Sequence, residues 1–304
     1  QEVGKFKYQI GLRGEYAEQI PELVGSTQKY DNAYFNLFPS AHVKYVFNKI
    51  SELSLSYSRR INRAESDELN PFTSYADPLN LRTGNPDLKP EYIDSYDFGY
   101  SFTKKKLIFS WSVFHRRTTD VINRIKYYYP NNTAVVTYAN IDKSESTGLE
   151  TVIIYKPFPW MKNTLSFNGN YIKYTNLSEN TDWNNDGFNW GIKYILSVDF
   201  WEKTASFQLN AAYAAPRVSP QGIVRRRTGI DLSVEKRLFN KRLSVGARVT
   251  DIFNTQGFEL ELVQEGVKQT SEYKWLTRRF FITASYQFGK LEGKSKPEKS
   301  GGGG

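Results

Sequence analysis

The 304-residue sequence has no cysteine, one methionine and two histidines, and no long apolar run. Without cysteine it is neither a disulfide scaffold nor a thiolate metal site. A helical membrane protein is excluded too, because no stretch approaches the roughly 18 to 20 uncharged apolar residues of a spanning helix. The composition also argues against disorder. There are 21 Tyr, 20 Phe and 6 Trp, and 41 basic against 32 acidic residues leave a net charge of only +9. The result is an aromatic-rich chain with a polar average. Two architectures share that signature, a soluble all-β protein and a transmembrane β-barrel.

The local pattern is alternation. Phe6, Tyr8, Ile10 and Leu12 alternate with Lys7, Gln9, Gly11 and Arg13. Trp190, Ile192, Tyr194, Leu196 and Val198 make a five-residue apolar face, and Phe207, Leu209, Ala211 and Tyr213 face away from Ser206, Gln208 and Asn210. Near the end, Phe280, Ile282, Ala284, Tyr286 and Phe288 oppose Thr283, Ser285 and Gln287. A sustained period of two means strands with one apolar and one polar face, and no segment competes as a helix.

The connections sort by length. Short links sit at 48–51, 103–106, 156–162, 200–203 and 238–241. Long polar ones sit at 17–32, 64–91, 118–133, 176–187, 216–227 and 254–273. Between them lie about twelve strands paired as hairpins, with 133–155 as one long strand. Short turns at one end and long loops at the other are the outer-membrane barrel pattern. The short turns also carry Phe47, Phe158, Trp160, Phe200, Trp201 and Phe239, where an interfacial aromatic girdle belongs. No repeat of about 20 to 50 residues supports a propeller or solenoid. The polar residues opposite each apolar face belong in a lumen, since charge at mid-bilayer costs about 2–4 kcal/mol. The expected fold is all-β, an antiparallel transmembrane β-barrel over residues 1–289, followed by a flexible basic, Gly-rich tail over 290–304. The start at Gln1, without a leader, reads as a mature product or a fragment.

One stretch is specific. Arg60-Ile-Asn-Arg63, Leu69-Asn-Pro-Phe72, Asp77-Pro78 and Gly84-Asn-Pro-Asp-Leu-Lys-Pro-Glu91 follow in order. Asn140-Ile141, Gly148-Leu-Glu150 and Asp251-Ile-Phe-Asn254 come later, and an aromatic strand closes the series at Phe280–Phe288. This ordered set resembles the TonB-dependent receptor-like outer-membrane β-barrel family, in which a G-N-P-x-L-x-P-E segment leads into a barrel strand. Pro71, Pro78, Pro86 and Pro90 cannot continue a ladder, so the segment reads as a rigid loop without ligand chemistry of its own. The resemblance implies a barrel of about 22 strands plugged by an N-terminal domain. This chain, with about twelve strands and no recognisable plug, therefore matches the C-terminal portion of such a barrel.

Chemistry is sparse. Asp182, Asn184 and Asp186, followed by Gly187, match the opening of a calcium loop, in which alternate side-chain oxygens converge on one cation. The twelfth position is Lys193 instead of the bidentate Glu, and the same residues also make a generic turn. His42 falls on a polar strand face and His115 near a strand's upper end, and nothing pairs either with a Ser nucleophile. Basic clusters at Arg59-Arg60, Lys104–Lys106, Arg116-Arg117, Arg225–Arg227 and Arg278-Arg279 are scattered, which speaks against nucleic acid. They suit anionic outer-membrane lipid and lipopolysaccharide phosphates instead.

The resemblance implies a non-enzymatic receptor or transporter in the bacterial outer membrane, with no cofactor beyond that calcium loop. It would bind or import an extracellular nutrient through a plug absent from this chain. The expected partners are lipid and lipopolysaccharide, an energy-coupling protein acting through that plug, and surface lipoprotein or envelope-complex subunits. The alternatives are a non-transporting barrel serving as a structural or assembly partner and, behind it, an outer-membrane hydrolase.

Overall fold

The computed structural model describes residues 1–19, 32–129, 133–176, 184–264 and 267–289; the tail expected over 290–304 lies outside them. In chain order the strands begin with β1 (Glu2–Val3), β2 (Phe6–Gln19), β3 (Asn32–Asn48) and β4 (Ser51–Asn62). After a one-turn helix α1 (Ser66–Leu69) come β5 (Asn80–Arg82), β6 (Glu91–Lys104), β7 (Leu107–Tyr128), β8 (Ala134–Phe158), β9 (Met161–Thr175), β10 (Asn185–Phe200) and β11 (Ala205–Ala214). The remainder are β12 (Arg217–Ser219), β13 (Gly222–Val224), β14 (Arg227–Leu238), β15 (Leu243–Thr250), β16 (Phe258–Gln264), β17 (Val267–Tyr273) and β18 (Arg279–Tyr286). The main sheet runs β1-β2-β3-β4-β6-β7-β8-β9-β10-β11-β14-β15-β18, every neighbouring pair antiparallel, and twelve of these strands are long. Among the described residues its two edges do not pair, so the twelve strands form an open wall.

Register sorts the side chains. Leu196, Leu209 and Leu232 stand opposite one another in turn, followed by Val249 and Phe280. One residue along, Ser197, Gln208, Ser233, Arg248 and Phe281 make the row of the other face. The apolar rows are not buried by protein: Ile10 is 80% and Ile282 85% exposed. Among the described residues the one clustered apolar core is Val121, Ile125 and Ile141, with Tyr127 and Ala139 against it. In water such a bare apolar face would aggregate. Against hydrocarbon it is a solvated surface, and the ladder satisfies the backbone that hydrocarbon cannot.

Both rims of the apolar band are marked. At the short-turn end Phe47, Phe158, Trp160, Trp201 and Phe239 are exposed, and Phe158 and Trp160 stack at 5.0 Å. Two of these turns are left-handed through three residues each, Trp201-Glu202-Lys203 and Phe239-Asn240-Lys241, with φ between 50° and 68°. At the long-loop end a continuous row of alternating charge crosses the outward face of β4 and β6–β10: Arg59, Asp94, Arg117, Glu145, Lys173 and Asp186. Opposite charges facing across strands contribute roughly 0.2–1 kcal/mol per pair. The tyrosines one row nearer the membrane join in. Tyr57 donates its hydroxyl to Asp94 at 2.8 Å, and Tyr171 donates to Asp186. The adjacent arginines of the sequence are thereby split, with Arg59 and Arg117 pointing outward beside carboxylates and Arg60 and Arg116 on the polar face.

Three long "loops" differ from expectation. Residues 118–133 are mostly strand, because β7 runs on to Tyr128 and β8 starts at Ala134, with Asp120 (φ 54°) as the one irregularity in the pairing. The 63–90 segment packs on this extension and gives it a partner that local sequence does not reveal. Segments 216–227 and 254–273 carry β12–β13 and β16–β17, which join in a second sheet ordered β12-β13-β16-β17. The helix α1 is a further small departure.

Candidate functional site

The site is the polar face and the loops that fold over it. The hairpin β12–β13 bends inward onto β10. There Asn189 accepts the Val218 N–H at 3.0 Å, and the Asn185 amide donates to the Ser219 carbonyl at 2.8 Å. Asn185, Gly187 and Asn189 all belong to the polar row of β10. A Cβ on Gly187 would sit 2.8 Å from Val218, so the absence of a side chain lets the hairpin seat. Gly229 of β14 does the same for the Gln256 amide. Among the described residues these loops dock on this face, which identifies it as the interior.

From there the loops reach the β7 extension. The Lys126 N–H donates to Gln221 at 2.9 Å, and the Gln221 amide donates back to the Lys126 carbonyl at 3.2 Å. The Lys126 ammonium bonds Asn80 at 2.8 Å and Gln269 at 3.0 Å, and Tyr128 donates to Gln269 as well. One lysine thus ties together the 63–90 loop, the β12–β13 hairpin and the β16–β17 hairpin. Close by, the Asn80 amide and the Leu79 N–H hold the Asp77 carboxylate below its usual range. On β16, Glu261 is held low by Lys268, with Arg225 on its other side.

The G-N-P segment works as framework. The Gly84 and Asn85 N–H groups donate to the carbonyls of Asn70 (2.7 Å) and Glu68 (2.6 Å), and the Asn85 amide donates to Tyr138. Lys89 and Asn140 exchange two bonds of 2.9 Å, and Glu91 receives the Ile122 N–H at 2.6 Å and the Asn62 amide at 2.7 Å. This accounts for Asn140 and Glu91 recurring with the motif. A Cβ on Gly84 would meet three backbone atoms of Asn70 and Glu68 at 2.6 Å. Gly84→Ala is therefore expected to unseat the 63–90 segment and lower its local stability by about 2–3 kcal/mol. Limited proteolysis within 63–90 measures this, and an unchanged cleavage rate would contradict it.

Asp251-Ile-Phe-Asn254 is a second clasp. Asp251, 1% exposed, receives the N–H groups of Thr255 (3.0 Å) and Gln256 (2.9 Å) and the Thr277 hydroxyl, while Asn254 receives the Thr277 N–H at 3.1 Å. It fastens the start of the 254–273 excursion to its return into β18. Burial alone would push the Asp251 carboxyl up, but the bonds from Thr277, Thr255 and Gln256 outweigh it and hold it low.

The remaining sequence candidates are dispersed. Asp182 lies outside the described residues. Asn184 receives the Asn176 N–H at 2.8 Å, and Asp186 sits in the outward charge row, bonded to Tyr171. Among the described residues no group of three His, Asp or Glu side chains is placed to hold a metal. His42 lies on the polar face in register with Ser56, and His115 on the outward face, 2.8 Å from the Thr147 hydroxyl. Sequence reasoning missed Lys126, Gln221, Gln256 and Gln269. Their positions show no periodicity, and nothing local in the sequence says that their loops meet.

The family model described as "Outer membrane protein beta-barrel family" matches residues 1–286. The FrpB iron transporter from Neisseria meningitidis (F5-1 variant) is similar in structure, with TM-score 0.65 and 13% identity over 94% of this chain and 44% of its own. The ferric yersiniabactin uptake receptor FyuA from Yersinia pestis gives 0.65 and 13% over 94% and 44%, and the copper transporter OprC 0.65 and 15% over 94% and 46%. The chain thus spans less than half the length of these structures. No curated protein matches it.

Proposed function

The chain belongs to the outer membrane protein beta-barrel family, and on that premise we propose that it is the wall of an uptake receptor that captures an extracellular nutrient beneath its folded loops. Its place is the bacterial outer membrane, and its fold is that of TonB-dependent receptor-like barrels. The observation that carries the reading is the canopy: the β12–β13 hairpin and the Gln256 loop seated on the polar face at Gly187 and Gly229, with the β12–β13 and β16–β17 hairpins tied to the 63–90 loop through Lys126. A wall with a polar interior and loops drawn over it suits a receptor that admits its ligand when the loops part. A plug outside this chain, worked by an energy-coupling protein, would gate passage. Iron and copper complexes, named for its structural neighbours, are the first nutrients to test.

The canopy is testable because the chain has no cysteine of its own. With cysteines at Asn80 and Gln269, whose side chains share the Lys126 ammonium, a short bis-maleimide should join the loops. Cells carrying the cross-linked full-length protein are expected to lose most uptake of the nutrient, and the un-linked pair to retain it. Equal uptake in both states would reject the canopy as an entrance. The second reading is a structural partner in an envelope complex, in which the same lipid-facing wall serves without transport. Retained cell-envelope defects in a transport-dead variant would favour the first reading, and their rescue the second. Lipopolysaccharide, facing the outward charge row, is a partner under either.

A further inference from the structure

Beneath the β12–β13 hairpin the polar face has a hollow of about 420 Å³. Its floor is a block of four minimal residues: Gly191 stands opposite Ala214, and Ala212 opposite Gly229, in adjacent inward rows of β10, β11 and β14. The next inward rows carry Ile195, Asn210 and Asp231 and then Ser197, Gln208 and Ser233, so the wall is thinned here. Cations bound the block. Lys193 continues the Ala212–Gly229 row at one corner and Arg227 the Gly191–Ala214 row at the opposite corner, while Arg217 enters on the hairpin above.

These three cations differ from others on the same face. Arg13, Lys44, Arg116, Arg237 and Arg248 each stand within 4 Å of a carboxylate, for example Arg248 at 3.1 Å from Asp231 and Arg237 at 2.7 Å from Glu235. Among the described residues Lys193, Arg217 and Arg227 have no ion pair and no side-chain hydrogen bond, and no carboxylate lines the hollow. All three are solvent-exposed. Gathering unpaired like charges around one cavity is unfavourable unless an anion arrives, and two guanidinium forks suit carboxylate or phosphate oxygens. Gln256, steered by Asp251 through its own N–H, presents its amide at the Gly229 edge of the hollow.

We propose that this hollow binds a small polyanion, carrying at least two carboxylate or phosphate groups, between Lys193, Arg217 and Arg227. The assignment rests on the uptake-receptor reading and gives it a ligand class. The test is calorimetry on the full-length protein in detergent with citrate, pyrophosphate and, as a neutral probe of comparable bulk, raffinose. One of the two anions should bind, more weakly as salt is raised, and raffinose should not. Arg217→Gln and Arg227→Gln should each weaken binding about tenfold, the worth of one charge-assisted bond. Arg242→Gln, at a short turn far from the hollow, should leave it unchanged. Heat-modifiable gel mobility of each variant confirms folding. Equal affinity in the Arg217/Arg227 double variant, or no binding of either anion, overturns the site. Binding of raffinose alone overturns the anionic class while the receptor reading stands. That reading fails separately, if the cross-linked canopy does not stop uptake.

Discussion

Ile192→Lys is expected to destabilise the protein in a bilayer by about 2–4 kcal/mol, whereas Gln208→Lys on the adjoining strand should shift stability by no more than about 0.5 kcal/mol. Ile192 lies midway along the outward run Phe188–Val198 and faces Phe167 and Tyr213 in the neighbouring strands. A lysine there holds its ammonium in hydrocarbon. Gln208 is in the inward row between Ser197 and Ser233, where a lysine reaches water. The chain contains its own control, since Lys193 is the very next residue and points inward. Unfolding in lipid vesicles, followed by tryptophan emission and gel mobility, measures both. Equal losses would mean that the two faces do not see different solvents.

Asp251→Ala should have the next largest effect, about 2–4 kcal/mol. It leaves the N–H groups of Thr255 and Gln256 and the Thr277 hydroxyl without their acceptor in a partly buried place. The loss should be local: the 251–256 turn and the start of β18 should exchange amide hydrogens faster while β6–β9 keep their protection. Gln256 would also lose its tether, so anion binding in the hollow should weaken as well. A pH dependence follows. Because the folded-state carboxyl is held below its unfolded value, its contribution is complete above the usual carboxylate range and lost as pH falls through the folded value. The wild type should therefore show an acid-side loosening of this clasp that Asp251→Ala lacks. Hydrogen exchange at Thr255 and Gln256 across that range decides it, and identical acid profiles would contradict the assignment.

The wall was legible because a strand with hydrocarbon on one side and water on the other must alternate. The Trp190–Val198 and Phe207–Tyr213 faces therefore gave strand, direction and register parity together. The short turns were legible from their length and their aromatics. The loop strands were legible only in part. Phe258, Leu260 and Leu262 alternate with Glu259 and Glu261, but the length of the 254–273 segment marks it as loop. Its pairing with β13 depends on contacts some forty residues away. The β7 extension was missed because Val121, Ile125 and Ile141 come together only through the long-range β7–β8 pairing. Of the site, the G-N-P loop and the Asp251–Asn254 clasp stood out as motifs, and their role is to hold backbone. The hollow did not stand out: Gly191, Ala212, Ala214 and Gly229 come from three strands, and only cross-strand register makes them one floor. The arginine pairs misled in the same way, since neighbours in a strand face opposite solvents.

One face of this wall meets lipid and the other lines a water-filled interior. Single cysteines placed in turn at 190 to 198, in a chain otherwise free of cysteine, can be spin-labelled in vesicles and their collisions with oxygen and with a nickel chelate compared. A period of two is expected. Positions 190, 192, 194, 196 and 198 should favour oxygen, as groups in hydrocarbon do, and 191, 193, 195 and 197 the water-borne nickel. A flat profile, or the same period with the two sets exchanged, would contradict it.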